Sequence, residues 1–139
     1  MYETKEEKKI RKELERFKKN PSKTCFNHLQ YIIQNIKNEN LLKFLAIEIT
    51  KDDLFNELEP LIADNIYTPA HILKELALSQ NEITKAYIAF NPKTPLAVIN
   101  LLAKDENKFI SIIANKHKRI PKKSFLSYLL NYIKCLLGF

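Results

Sequence analysis

Apolar residues recur along this chain at the three- and four-residue spacings of one helix face, rather than alternating as in a strand. Over residues 3–19, Ile10, Leu14 and Phe17 form one narrow stripe on a segment otherwise dense in Glu, Lys and Arg. A helix of this kind covers the end of a helical stack with its stripe and keeps its other faces in water. Asn20-Pro21 ends it, because proline pushes the preceding residue out of the helical region. Cys25, Phe26, Leu29, Ile32, Ile33 and Ile36 carry a second helix, which Asn38-Glu39-Asn40 interrupts. Residues 41–49 are nearly continuous in Leu, Phe, Ala and Ile, and read as helix because no second strand candidate exists to pair with them. Asp52 or Asp53 suits the N-cap before Leu54, Phe55 and Leu58, and Pro60 starts a short helix reaching Ala63.

Beyond residue 60 the pattern repeats. Leu61-Ile62-Ala63-Asp64-Asn65-Ile66-Tyr67-Thr68-Pro69 returns as Tyr87-Ile88-Ala89-Phe90-Asn91-Pro92-Lys93-Thr94-Pro95, and again in Ile112-Ile113-Ala114-Asn115 running on to Pro121. The prolines fall at 69, 95 and 121, and the alanines at 63, 89 and 114. A fixed period in this range marks a solenoid of helical hairpins. Asn65 and Asn91 suit a helix C-terminus in the left-handed conformation. Thr68 and Thr94 are expected to accept an orphan N–H, with each following proline in the first helical position. Ile72, Leu73, Leu76 and Ala77, then Val98, Ile99, Leu102 and Ala103, place one apolar face inward. In the third copy Ile120 replaces the threonine and an apolar tail follows from Phe125.

The stretch Asn91-Pro92-Lys93-Thr94-Pro95, its leucine-rich continuation to Leu102-Ala103-Lys104-Asp105, and the apolar run into Ala114-Asn115 resemble the leucine-rich repeat variant family. The match is best over 91–115, good over 65–90, and reduced to Asn20-Pro21-Ser22-Lys23-Thr24 in the region before residue 60. The resemblance implies α-helices alternating with shorter, often 3₁₀, helices, stacked into a right-handed superhelix like that of HEAT repeats. It also implies a binding scaffold. One kind of member carries an iron-sulfur cluster on a separate cysteine cluster, whereas this chain has two cysteines, Cys25 and Cys135, too few to ligate one. Ser111 departs from the family pattern, which tends to carry Arg there.

Composition changes the picture mainly by exclusion. The 139 residues are 45% apolar and 28% charged, with a single glycine at Gly138. Phosphate-cradling loops and dinucleotide fingerprints require several glycines, so those nucleotide-binding chemistries are excluded. Cys25 and Cys135 sit in apolar helical patterns as core thiols, and the lysine-rich start gives way to no apolar leader, so a cytoplasmic location is expected. The most apolar stretch, 124–139, is interrupted by Asn131 and Lys134 and is too short to span a membrane.

The net charge of +7 is uneven: residues 1–23 carry +4, 24–90 carry −4 and 91–139 carry +7. Lys116, Lys118, Arg119, Lys122 and Lys123, with His117 among them, form the densest basic cluster, and Lys93 on the preceding turn extends it into a ridge suited to nucleic acid or other anions. The competing reading is a solvated turn. His28, His71 and His117 lie too far apart in sequence for a zinc pattern, and His28 and His71 read as partly buried, hydrogen-bonded side chains. In the acidic run of Glu48, Asp52, Asp53, Glu57, Glu59 and Asp64, paired carboxylates are a pattern for acid–base work, but Asp52 and Asp53 stand at a helix start, where negative charge faces the helix dipole, and that structural explanation suffices. No catalytic, metal or cofactor site is expected.

These readings give one all-α domain over 1–139, a right-handed helical-repeat solenoid of short helix pairs. It comprises a charged capping helix at 1–19, divergent repeats at 20–63, repeats matching the family at 64–116 and an apolar terminal repeat at 117–139. The expected function is non-enzymatic protein–protein interaction, with nucleic-acid binding through the basic ridge as the alternative. The tail from Ser124 to Phe139 holds more apolar surface than one helix face buries, so it either forms a dimer contact or folds back at Asn131.

Overall fold

A computed structural model describes residues 2–117, and among them every regular element is helical. Helix α1 spans Lys5–Lys19 and opens with a capping box, in which the Thr4 side chain accepts from Glu7 N–H while the Glu7 carboxylate accepts from Thr4 N–H. Its stripe of Ile10, Leu14 and Phe17 is buried, and it packs on α2 (Lys23–Asn35) and α3 (Glu39–Ile49). Ser22 caps α2 and Asn38 caps α3, so the polar interruption before residue 41 is the start of the third helix. Asp52 accepts from Leu54 N–H at the head of a 3₁₀ helix, Asp53–Leu58, that leads into α4 (Glu59–Asp64). Two helix pairs follow: α5 (Ala70–Leu76) with α6 (Glu82–Phe90), and α7 (Leu96–Leu102) with α8 (Lys108–Lys116). Their boundaries match residue for residue at an offset of 26. These short helices are α-helical, and among the described residues 3₁₀ geometry forms an element only at Asp53–Leu58.

Helices α2, α4, α6 and α8 form an inner row, each packed on the next, while α3, α5 and α7 lie against α4, α6 and α8 in turn. One continuous core runs between the rows, with Ile33, Leu42, Leu45, Ile62, Leu73, Ile88 and Leu102 essentially inaccessible. Phe17 joins this core to the first helix through tilted ring contacts with Phe26 and Phe55, each with centroids 6.3 Å apart. Arg11 adds a polar clasp, bonding Glu3 and Glu48 and lying 5.2 Å from the centroid of the Phe44 ring.

The joints between inner-row helices correct the expected chemistry of the repeat. Asn65 and Asn91 follow α4 and α6 at φ of −68° and −65°, so neither is left-handed. Their side chains do a different task. The amide of Asn65 donates to the carbonyls of Ile33 and Ile36 at the end of α2, at 2.8 and 2.9 Å. That of Asn91 donates to Ala63 and Asn65, at 2.8 and 3.0 Å. The Oδ1 atoms accept from Tyr67 and Lys93 N–H, which tightens each following turn. Thr68 and Thr94 are donors, not N-cap acceptors: their hydroxyls bond the carbonyls of Ile62 and Ile88, each at 2.6 Å. The prolines therefore stand one place earlier than expected, at the caps themselves, and Ala70 and Leu96 are the first helical residues.

In the third copy Ala114 is buried as Ala63 and Ala89 are, but it stands two residues before the end of α8, where Ala63 and Ala89 stand one before the ends of α4 and α6. Asn115 is consequently an exposed helical residue, and His117 takes the joint position. Its Nδ1 lies 2.6 Å from the Ala89 carbonyl, which only accepts, so Nδ1 carries the proton.

Removing the Asn91 side chain strands two carbonyls and a turn N–H in a site only 3% exposed. Asn91→Ala should therefore lower stability by about 3 kcal/mol in urea unfolding, whereas Asn115→Ala on the surface should change it by less than about 0.5 kcal/mol. Equal effects would mean that the joint does not hold the helices together. Thr68→Val keeps the shape and removes one buried donor, so it should cost about 1–2 kcal/mol in the same titration. No change in midpoint would show the Ile62 carbonyl to be satisfied without it.

Candidate functional site

Two grooves of the described surface lie at the ends of α3. The first, about 260 Å³, is bounded by Ala46, Ile47 and Thr50 on one side and by Ile72, Glu75, Leu76, Leu78 and Ser79 on the other. Ile72 and Leu76 are buried members of the core, while Ile47 and Leu78 are 44% and 75% exposed. Glu59, the first residue of α4, also lines this groove although it is only 8% exposed. Its Oε2 accepts from the Ser79 hydroxyl at 2.6 Å and more weakly from the Thr84 hydroxyl at 3.4 Å.

The second groove, about 660 Å³, lies at the start of α3 and is lined by Glu39, Asn40, Lys43, Pro69, Ala70, His71 and Lys93. Lys93 spans it, with Nζ 2.7 Å from Glu39 Oε1.

Three members of the expected basic ridge, Lys93, Lys116 and His117, fall within the described residues. Lys93 is engaged with Glu39, and Lys116 closes α8. His117 holds a backbone carbonyl through Nδ1. Lys118, Arg119, Lys122 and Lys123 lie outside the described residues, as do Cys135 and the tail 124–139.

The remaining candidates also acquire local explanations. His28 and His71 are exposed instead of partly buried, because each stands just before the inward-facing residues of its helix, Leu29 in one case and Ile72 in the other. Cys25 is half-buried against the core. The acidic run does not converge on one place. Glu48 pairs with Arg11 and Lys51, and Asp52 with Lys18, whose hydrogen bond, together with the Leu54 N–H, holds the Asp52 carboxyl below its ordinary range. Among the described residues no group of three or more His, Cys, Asp or Glu side chains is placed to hold a metal ion. Nor is any described helix long and apolar enough to cross a membrane.

Two half-buried groups face each other electrostatically where α4 packs on α6. Burial pushes the Asp64 carboxyl up from its ordinary value, and it pushes the Tyr87 phenol up as well, with the Asp64 charge adding to the effect. Compared with known proteins, the chain matches no family model, no curated protein and no solved structure.

Sequence reasoning placed Glu59 in the acidic run without seeing its burial. The signal was one copy further along. Lys85 and Asp105 stand 26 residues after Glu59 and Ser79, and they form an ion pair at 2.9 Å. Burial works to raise the Asp105 carboxyl, yet the Lys85 bond and charge and the Asn107 N–H leave it lowered overall.

Because folding disfavours the ionised form of Asp64, its contribution to stability is fully present below the ordinary pKa of 3.8 and is lost as pH rises through the raised value. Asp64→Asn should then raise the thermal midpoint at neutral pH and lose that advantage on acidification below 3.8. An advantage that persists at low pH would rule out the desolvated carboxylate as its source.

Proposed function

We propose that this protein is a non-enzymatic helical-repeat scaffold, a right-handed solenoid of short helix pairs that presents a grooved surface to a protein partner. The observation that carries this reading is how the polar side chains are used. Asn65, Asn91, Thr68, Thr94 and His117 all satisfy backbone carbonyls at the joints, so they hold helices in register and are not free to act on a substrate. What the surface offers instead is aliphatic: Ile47 and Leu78 flank the groove between α3 and α5, where a partner side chain would be desolvated. The resemblance of residues 65–115 to leucine-rich repeat variants supports the same reading. The nucleic-acid alternative is less well supported, since Lys93 already has a carboxylate partner and His117 a carbonyl one.

Replacing Leu78 with a photo-crosslinking amino acid in the full chain should yield discrete protein adducts in cells, and the same replacement at exposed Lys9 on α1 should not. Duplex and single-stranded oligonucleotides should bind no tighter than about 10⁻⁴ M at physiological salt. Adducts of nucleic acid, or tighter oligonucleotide binding that falls steeply with salt, would move the function to the basic ridge.

A further inference from the structure

Glu59 is a carboxylate at a place where the fold elsewhere puts an ion pair. Twenty-six residues further along, Lys85 on α6 reaches Asp105 in the loop after α7, and the charges cancel. At the corresponding positions of α4 and the loop after α5, the acid stands on the helix and the loop residue is the neutral Ser79. No described cation lies within ion-pair distance of Glu59; the pairs formed by the described acids use Glu3, Glu13, Glu39, Glu48, Asp52 and Asp105. A carboxylate so enclosed is costly unless an opposite charge and further hydrogen bonds compensate it, and two hydroxyls on one oxygen supply only part of that.

The second oxygen shows where the missing group belongs. Both hydroxyl bonds go to Oε2, and Oε1 receives none from a described residue. Every fully enclosed side-chain polar atom among the described residues has a partner, so Oε1 must keep some accessible surface. Glu59 is itself one of the residues that line the groove between α3 and α5. Around it the walls are Ala46, Ile47, Ile72, Leu76 and Leu78, and the other ionisable group on the lining is Glu75, again an acid.

We infer that this groove is a receptor for a lysine or arginine side chain carried between aliphatic residues on a partner protein segment, with the cationic head on Glu59 Oε1 and the flanking residues against Ile47 and Leu78. A long basic side chain suits both halves of the site, because its methylene stem lies along apolar walls while its head meets the carboxylate. Inside the groove that contact is desolvated, which makes it a source of affinity and not merely of steering. Glu75 adds negative charge on the lining and disfavours acidic segments. The inference rests on the protein-binding scaffold reading and names the chemistry of its partner.

The test uses the full chain as bait for a random-peptide phage library, followed by affinity measurement on the winning peptide. The selected sequences should share a Lys or Arg flanked by aliphatic residues. Glu59→Gln keeps the shape of the side chain and an oxygen for the Ser79 and Thr84 bonds, so its circular dichroism spectrum should be unchanged. It should weaken the winning peptide by about tenfold or more. Replacing the peptide's basic residue with norleucine, which leaves the protein untouched, should weaken binding by a similar factor. The two changes combined should cost little more than either alone. Glu82→Gln on the exposed start of α6 should have no effect.

Peptides that bind with no basic residue, or whose affinity survives both Glu59→Gln and the norleucine change, would overturn the inference and leave the scaffold reading standing. A library that yields no binder would overturn both.

Discussion

A helix that ends inside a protein leaves carbonyls with no intrahelical partner, and these must find donors where water does not reach. In this chain one side-chain type meets that demand twice over. The amide of Asn65 reaches back to the end of α2, and that of Asn91 reaches back to the end of α4, each spanning two carbonyls at once. The bond from Asn91 to the Asn65 carbonyl links one joint directly to the next, so an inner-row helix is placed by the helix before it. Much else follows from that placement. Thr68 and Thr94 take up one further carbonyl each, Pro69 and Pro95 cap α5 and α7, and the apolar residues of these two helices are buried at matching positions.

The same demand explains which residues are left for interaction. Polar groups that look reactive in the sequence are spent on backbone satisfaction, and two members of the acidic run, Glu48 and Asp52, are paired locally with Arg11, Lys18 and Lys51. Glu59 stands apart, since it is buried, hydroxyl-bonded on one oxygen and part of the lining of a groove. Burying a charge without a counter-ion is destabilising, which makes such a position informative about what the surface is built to meet.

Much of the fold was legible in the sequence, because helical periodicity and proline placement report backbone geometry directly. The stripe of α1, the Asp52 cap and the 26-residue spacing of Pro69 and Pro95 all have their structural counterparts. The chemistry of the joints was not legible, for a definite reason. Asparagine after a helix is compatible both with a left-handed backbone and with a side-chain donor to a neighbouring helix, and only the neighbour's position separates the two. Threonine before proline is ambiguous in the same way, as donor or acceptor. Aligning copies on alanine also hid that Ala114 stands one place early in the 26-residue period, so that the joint falls on His117 and not on Asn115. Glu59 was hidden because burial of a carboxylate leaves no local pattern, although the Lys85–Asp105 pair one copy later held a clue.

Histidine at the third joint fits the same constraint with different means: a protonated ring nitrogen replaces the amide and reaches one carbonyl instead of two. The joints should therefore set how the molecule opens. The central claim, that side-chain donors to backbone carbonyls couple each inner helix to the one before it, is tested most directly by native-state amide hydrogen exchange on wild type and Asn91→Ala. The account predicts that the variant divides into two exchange blocks, with α6 to α8 losing protection by about tenfold or more while α1 to α3 stay close to wild type. Uniform loss across all helices, or none beyond the turn at Lys93 and Thr94, would contradict it.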